Sequence, residues 1–324
     1  LKVWQMGSEK EDVFDLPFAG HSIAQNPSRL AELAVFSRWG DQAALVDLKD
    51  KKNIRLIKEE KNRRFFGHGI FSHDGKKLYT SQTDDTTKTG EIVVRDVASL
   101  KVISRFSVYG RFPYELQFAG SEMIVAVSCD FKDAVNKKVS DPHFAEESSL
   151  TYIDSSTGKF VKRIKLDKEN CLMHFQMGTD GWVVGVGQAN DRDTSEKKSY
   201  AISISPSGKV KTLDIPDDFR GYFYGETLGI AMLEKKSLAY VTNRSTKLIL
   251  IWNYKTQELV KYFYIPDRPK AIATTSDLKQ VVVAETKTKS FLFVDSKTME
   301  ITGRAKGNEL SGYGAHMIRL KDFS

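Results

Sequence analysis

Four of the chain's six histidines recur at corresponding points of a repeating pattern, and they are its best candidates for chemistry. Each stands at or near the start of a short strand-like run: His21, His68, His174 and His316. Imidazole is the usual protein ligand for zinc, copper, iron and nickel. Three or four such ligands around one axis can hold a metal ion and leave a position open for water or substrate. The pattern therefore predicts a metal centre that holds iron, copper or zinc.

Three further residues occupy the same point in the remaining repeats, namely Tyr114, Glu226 and Lys270. Glu226 would add an oxygen ligand to the predicted metal set. The ammonium group of Lys270 would repel a metal cation and would suit a small acidic ligand in the same place. Glu115 lies one residue further along the strand that begins at Tyr114.

Arginines near these strand-like runs are candidates for binding such an acidic ligand. Arg111 precedes one first strand in a linking loop, whereas Arg38 and Arg244 follow two second strands. A guanidinium group can bind a carboxylate or phosphate through two parallel hydrogen bonds, although arginines also tie loops together. The predicted ligand-binding ring is Tyr114, Glu115, Lys270 and Arg111. The alternative interpretation is a polar, water-filled channel mouth whose histidines bond the adjoining loops.

These positions correspond because the chain repeats at intervals of 44 to 60 residues. Residues 66–80 show the pattern, with alternating apolar and polar residues on both sides of an Asp74-Gly75 hairpin turn. Several short strands in a unit of this length are typical of a β-propeller blade. The first strand of each blade lines the central channel, so corresponding residues form a ring. We predict an all-β, seven-bladed β-propeller in which residues 1–324 form a single domain.

The two ends of the chain contain less than a full repeat each. Strand-like runs at 1–6 and 12–18 precede the first repeat, and only eight residues follow His316. Sharing one blade between the ends would leave no free sheet edge between the first and last blades. The sequence therefore predicts a last blade closed by strands from both termini.

The third repeat carries a long connection, residues 130–147, between its second and third strands. Long loops on rigid scaffolds often carry function. If the apolar side chains of this loop were exposed together, they would form a contact surface for a protein partner: Phe131, Val135, Val139 and Phe144. An inert surface loop is the alternative.

An acidic or amide residue closes the third strand of most repeats and precedes a turn. These residues are Asp47, Asp96, Asp154, Asn253 and Asp295. Their side chains can accept hydrogen bonds from backbone N–H groups two residues further on, so we predict a structural role for them.

Composition argues against nucleic acid and membrane as partners. The net charge of +7 comes from 49 Lys and Arg against 42 Asp and Glu, and the basic residues are interleaved with acidic ones. A nucleic-acid surface requires a clustered basic face with aromatic platforms. No run approaches the roughly 18 apolar residues of a membrane span.

The two cysteines, Cys129 and Cys171, are interpreted as free thiols, because two cysteines alone do not establish a disulfide.

Three groups of residues resemble the signature of an uncharacterised bacterial propeller family of unknown function. They are the run from Gly67 to Thr80, Ala19-Gly20-His21 read with Phe36-Ser37-Arg38, and Pro113-Tyr114-Glu115-Leu116. Relatives read Pro-His-Glu-Leu at the last of these, so this chain departs from the family at Tyr114. The resemblance implies a periplasmic protein, related to the propeller group that includes the β-chain of quinoprotein amine dehydrogenase. It also implies a link to iron handling, since members are encoded near iron-uptake proteins.

Three functions are compatible with these features. The first is a monomeric binding or scaffold protein of the bacterial envelope that holds a metal or a small acidic ligand in its channel, with an envelope protein as partner. The second is a metal-dependent enzyme in which the histidine ring holds the metal and Glu226 or Glu115 acts as general base. The third is a protein-interaction platform. We favour the first, because the sequence contains no recognisable nucleophile, base and orienting group.

Overall fold

The protein is described here from a computed structural model. The structure describes residues 1–4, 11–38, 40–128, 141–143, 147–166, 170–189, 199–213, 215, 227–306 and 316–321. Its strands form six four-stranded antiparallel sheets and one two-stranded sheet. Within each four-stranded sheet, consecutive strands pair in chain order, as the predicted propeller requires.

The two-stranded sheet consists of β1 (Lys2–Trp4) and β2 (Glu11–Val13). Blades one to three are formed by β3 (Gly20–Gln25), β4 (Glu32–Ser37), β5 (Gln42–Asp47) and β6 (Ile54–Lys58); by β7 (Arg63–Phe71), β8 (Lys77–Asp84), β9 (Thr89–Asp96) and β10 (Val102–Ser107); and by β11 (Phe112–Ala119), β12 (Glu122–Ser128), β13 (Ser149–Asp154) and β14 (Phe160–Lys165). Blades four to six are formed by β15 (Asn170–Met177), β16 (Val183–Ala189), β17 (Ser199–Ile204) and β18 (Val210–Thr212); by β19 (Thr227–Leu233), β20 (Leu238–Asn243), β21 (Leu248–Asn253) and β22 (Leu259–Tyr264); and by β23 (Pro269–Thr274), β24 (Gln280–Glu285), β25 (Ser290–Asp295) and β26 (Ile301–Lys306). A short 3₁₀ helix, Glu234–Lys236, joins β19 to β20.

The all-β propeller is confirmed, but the predicted number of seven blades is wrong. The described residues form six blades, and none of their strands builds the predicted last blade from both termini. Residues 316–321 contain no strand. The side-chain amide of Gln25 bonds both backbone groups of Lys321, at 2.8 and 3.1 Å. Because side chains rather than a backbone ladder hold this segment, it adds no strand to a sheet.

A shift in strand register occurs near the start of every inner strand. In β3 the shift falls between Gly20 and Ser22, and in β7 between Phe65 and Gly69. The remaining inner strands β11, β15, β19 and β23 show the same irregularity against their second strands. Such bulges add unpaired residues to one strand, bend it and turn side chains in a new direction. In β3, β7, β11, β15 and β23 they include the residue that the sequence pattern places in the ring.

Hydroxyl groups on second strands compensate for the ladder bonds that the bulges lose. The Ser81 hydroxyl donates to the backbone oxygen of His68 at 3.1 Å and accepts from the His68 N–H at 3.3 Å. Thr242 accepts from Gly229 N–H at 3.0 Å and donates to the oxygen of Lys270, in the next blade, at 2.7 Å. Buried backbone polar groups need such partners, so these hydroxyls stabilise both the bulges and the contact between blades.

Apolar side chains fill the space between neighbouring sheets. Tyr240 and Ile251 of blade five form one cluster with Val281 and Leu292 of blade six, and all four are fully buried. Burying a large aliphatic side chain contributes roughly 1.5–3 kcal/mol. The burial of these side chains therefore depends on both blades.

The predicted structural role of the residues that close the third strands is confirmed. Each accepts a hydrogen bond from a backbone N–H in the following turn. The contacts are Lys49 to Asp47, Ser99 to Asp96, Ser156 to Asp154, Lys255 to Asn253 and Lys297 to Asp295, at distances of 2.7–3.0 Å.

The prediction of free thiols is wrong for Cys171, which is disulfide-bonded. The other cysteine of the chain, Cys129, lies outside the described residues, as does most of the long connection at 130–147, including Phe131, Val135, Val139 and Phe144.

Within the described part of the chain, no helix combines the length and the apolar character needed to cross a membrane.

A buried ion pair joins blades one and two. Arg95 on β9 pairs with Glu59, and both side chains are at most 3% exposed. Gln82 donates to Glu59 at 2.8 Å and Arg95 donates to the Thr80 hydroxyl at 3.1 Å. Burial lowers the pKa of Arg95 to about 10, which still leaves the guanidinium charged at neutral pH.

We predict that Arg95→Met will destabilise the fold by about 3–5 kcal/mol, because it leaves the Glu59 carboxylate buried without its counter-charge. Urea unfolding at pH 7 measures the loss. The matched control is Lys261→Met, which removes the exposed Lys261–Glu300 pair and is expected to cost no more than about 1 kcal/mol. Equal losses in the two variants would contradict the prediction.

Candidate functional site

Four histidines meet on the propeller axis. One possible ligand nitrogen from each of His21, His68, His174 and His316 lies within 4.8 Å of the corresponding atom of every other. The first three are on the inner strands β3, β7 and β15, and His316 is in the C-terminal segment 316–321. His21, His68 and His174 are buried and His316 is partly buried. The repeat pattern thus grouped residues that are up to 295 positions apart in the chain (316 − 21) and that lie close together in the structure.

The bulges of the inner strands account for this convergence. His21 and His68 lie within the register shifts of β3 and β7, and His174 lies at the end of the shift in β15. Gly67 leaves room for the His21 ring, because a Cβ atom at residue 67 would lie 2.4 Å from Cδ2 of that ring. Gly67 also has φ of +101°, a backbone conformation that favours glycine. The Ser22 hydroxyl donates to the Gly67 oxygen at 2.5 Å and fixes the two strands together.

Glu115 lies behind two of the histidines and orients them. Its two carboxylate oxygens lie 3.2 Å from Nδ1 of His68 and 3.2 Å from Nδ1 of His174. A carboxylate that accepts from Nδ1–H selects the tautomer whose Nε2 lone pair is available to a metal. Nε2 of His68 is buried and, among the described residues, has no hydrogen-bond partner; the same is true of Nε2 of His21. A metal ion would satisfy both atoms, so the donor set fits a metal.

The spacing of the nitrogens is close to that of ligands around a single ion, but wider at its limit. The four ligand atoms lie within 4.8 Å of one another, whereas nitrogens bonded to one tetrahedral zinc at about 2.0–2.1 Å are about 3.3–3.4 Å apart. Binding of all four rings to one ion would therefore draw the most distant nitrogens closer together.

The electrostatics favour neutral imidazoles. Burial is the main cause that lowers the pKa of His21, His174 and His316, and the proximity of the other rings adds to it; Glu115 opposes it at His174. Burial alone would raise the pKa of Glu115, but His68 and His174 outweigh it and hold that pKa well below its usual range. These three rings are therefore favoured in the uncharged form, which is the form that binds metals, and the Glu115 carboxylate beside them is favoured in the ionised form.

A cavity of about 360 Å³ adjoins the histidines. His21, His174 and His316 line it, whereas His68 does not. Its charged lining residues are Glu115, Arg38, Arg244 and Lys270. Its apolar lining includes Met173, Leu228, Ile230, Ile272 and Met317.

Of the predicted ring residues, some lie at the histidine cluster and its cavity and others do not. Tyr114 is buried beside the histidines, with its ring centroid 5.3 Å from that of His68 and 5.0 Å from that of His174. Lys270 and Glu115 line the cavity. Arg111 does not line it; its guanidinium donates to the backbone oxygen of Lys88 at 3.2 Å. Glu226 lies outside the described residues.

Sequence reasoning missed two glutamines that line the cavity. Gln117 donates to the oxygen of Phe175 and accepts from the Met177 N–H, both at 3.0 Å. Gln176 accepts from the Met232 N–H at 2.9 Å. Both tie adjacent inner strands together. Their position on inner strands, in alternation with apolar residues, is the signal that could have identified them.

A family model described as a protein of unknown function (DUF1513) matches residues 14–319. No curated protein matches the chain. Among solved structures it is similar to one titled "Crystal Structure of Mitotic Checkpoint Complex", with a TM-score of 0.66 and 8% identity over 98% of this chain and 92% of that chain. At that identity the likeness shows the fold alone. The predicted relation to the amine dehydrogenase β-chain group stays a prediction.

We predict that Gly67→Ala will destabilise the protein by more than Gly120→Ala. Both glycines have positive φ, but a Cβ at Gly120 would meet nothing within 4 Å, whereas at Gly67 it would collide with the His21 ring. The backbone strain costs roughly 1–2 kcal/mol at Gly120 and at least as much at Gly67, whose φ lies further from the left-handed helical region, and the collision adds to it at Gly67 alone. Urea unfolding measures the difference; equal losses would contradict the account of His21 placement.

We also predict that metal-free protein will lose stability as the pH falls below about 6.5, the ordinary imidazole value. The lowered pKa values of His21, His174 and His316 mean that the unfolded chain binds protons that the folded chain does not, so acid favours unfolding. Stability should be full above that pH. Urea midpoints in EDTA between pH 8 and 5.5 test this.

The control for the pH experiment is His73→Ala, since His73 is exposed, and it should leave the pH dependence unchanged. His21→Gln should flatten it. A wild-type stability that stays constant between pH 8 and 5.5 would show that the cluster is not buried in neutral form.

Proposed function

The chain belongs to the DUF1513 family of unknown function, and we propose that it binds a transition-metal ion at the four-histidine centre on its axis. The observation that carries the proposal is the convergence of four imidazole nitrogens within 4.8 Å, with Glu115 bonded to two of the rings. Structural and catalytic metal sites use this combination of imidazole ligands and an outer carboxylate.

The chemistry of the ligands narrows the choice of ion. Imidazole suits zinc, copper, iron and nickel, whereas magnesium and calcium require oxygen ligands. We propose iron, copper or zinc. Intrinsic affinity should be highest for copper, and the proposed link to iron handling makes iron the first ion to test.

The lining of the cavity favours binding over hydrolytic catalysis. Among the described residues that line it, Glu115 is the only carboxylate, and both of its oxygens are bonded to histidines. A general base must be able to reach a proton on substrate or water, and this carboxylate is already engaged. We therefore propose a metal-binding protein whose centre faces a ligand cavity.

We propose that the protein acts in the periplasm, where it is a monomer that meets an envelope protein partner. The disulfide bond of Cys171 supports this location, because disulfides form and persist in oxidising compartments and are rare in the cytosol.

The test is elemental analysis of protein purified without a histidine tag or chelator, before and after incubation with iron, copper and zinc salts. We expect near-stoichiometric metal in the wild type and none in the His68→Ala/His174→Ala double variant. The matched control is His73→Ala/His143→Ala, which removes two exposed histidines and should retain the metal.

A milder variant separates loss of metal binding from loss of folding. Glu115→Gln keeps the shape of the side chain but can accept from only one of the two Nδ1–H groups, so we expect metal affinity to fall about 10- to 100-fold. Circular dichroism verifies the fold of each variant. A wild type that takes up none of the three metals, or a folded double variant with wild-type metal content, would refute the proposal.

A further inference from the structure

One histidine of the centre is carried by a different kind of structure from the other three. His21, His68 and His174 lie on the inner strands β3, β7 and β15, each of which is fixed in a four-stranded sheet. His316 lies in residues 316–321, here called the clasp segment, which contains no strand. The His316 ring centroid nevertheless lies 4.6, 4.9 and 4.7 Å from the centroids of the other three rings. The clasp segment therefore supplies a ring that contacts every other ring of the centre.

The clasp segment is attached to two separate blades. Met317 packs against the buried apolar cluster of blade six. The Arg319 guanidinium donates to the backbone oxygen of Thr275, directly after β23 of the same blade, at 3.2 Å. Further along, the side chain of Gln25 on β3 of blade one accepts from the Lys321 N–H at 2.8 Å and donates to the Lys321 oxygen at 3.1 Å. The segment therefore runs from blade six to blade one.

These contacts hold the segment less firmly than a sheet holds a strand. Among the described residues, its hydrogen bonds are the three made with Gln25 and Thr275. Each such bond contributes only modestly to net stability, because water competes for both partners. Arg319 and Lys321 are exposed, and the other residues of the segment are only partly buried. Segments of this kind open at a lower free energy than core strands, so the clasp segment can leave its place while the inner strands stay intact.

A metal ion at the proposed centre would change this balance. Its bond to His316 exists only while the clasp segment is in place, so the ion stabilises the docked state. The coupling is reciprocal, so docking of the segment also strengthens metal binding. His316 and Met317 line the cavity beside the centre. Departure of the segment would therefore remove one metal ligand and one part of the cavity wall in a single motion.

We propose that the clasp segment docks when His316 binds the ion held by the three inner-strand histidines, and that it is released when the ion is absent. The inference rests on the proposed metal centre and describes how that centre is regulated. Because the docked segment contacts both blade six and blade one, metal loading fastens these two blades together. Release opens the cavity and gives the ion a route in and out.

Trypsin cleavage of the full chain reports whether the segment is docked. Arg319 and Lys321 are exposed, but a protease cuts after them only when the surrounding backbone is released, so the rate follows the released population. Metal-free protein, prepared with EDTA and then dialysed, is compared with protein loaded with Zn²⁺, or with the copper or iron that it takes up instead. Mass spectrometry identifies the cuts. We expect cleavage after these two residues to be at least tenfold slower in the loaded protein.

Two variants that each lack one ring ligand locate the effect. In His316→Ala, excess metal should bind the remaining rings but leave the clasp segment as susceptible to trypsin as in metal-free protein. The matched control is His68→Ala, which removes a ligand from an inner strand and should keep the metal-dependent protection. Metal content is measured for each variant, and circular dichroism checks folding.

A variant remote from the metal tests the reciprocal effect. Gln25 follows His21 by four residues in β3, about 13 Å along an extended strand, and does not line the cavity. Gln25→Ala removes both bonds to Lys321, so we expect metal affinity to fall about 3- to 10-fold, measured by competition with a chromophoric chelator. The matched control is Gln280→Ala, whose side chain bonds Thr302 within blade six at 3.3 Å, and which should bind metal like the wild type.

The outcomes separate the clasp from the metal centre. A wild type that takes up none of the three metals refutes both proposals. A loaded wild type that is cut after Arg319 and Lys321 as fast as metal-free protein overturns the clasp and leaves the metal centre standing. Wild-type protection in loaded His316→Ala, or wild-type affinity in folded Gln25→Ala, also overturns it. If neither histidine variant retains metal, the comparison of Gln25→Ala with Gln280→Ala decides.

Discussion

The bulge at the start of each inner strand is the constraint on which the site depends. A regular strand would alternate its side chains between the two faces of the blade and would present none of them along the axis. The register shifts in β3 and β7 release His21 and His68 from this alternation. The cost is lost ladder bonds, which hydroxyls such as Ser81 replace at 3.1–3.3 Å. The site and the contacts between blades thus share the same residues.

Burial and charge together determine what the centre can hold. The His21, His174 and His316 rings are kept neutral chiefly because they are buried. Glu115 stays ionised because two imidazoles share it. One carboxylate therefore orients two of the four rings.

Much of the site could be predicted from the sequence, because repeats convert distant residues into equivalent positions. The four histidines and Lys270 were identified in this way, and the turns at Asp96 and Asp154 followed from local hydrogen bonding. The orienting role of Glu115 was not predicted. It depends on the bulge between Pro113 and Leu116, which turns Tyr114 and Glu115 away from simple alternation, and local patterns do not encode such a shift.

By itself, the sequence determined the strand periodicity, the propeller class and the residues that could surround the axis, because these follow from side-chain alternation and repeat length. Only the tertiary structure decided that the described strands form six blades, that Arg111 is tied to Lys88, and that Arg38 and Arg244 line the cavity. It also decided that Cys171 is disulfide-bonded. These outcomes depend on distances between separate blades and on how the chain ends pack, and no short stretch of sequence specifies those distances.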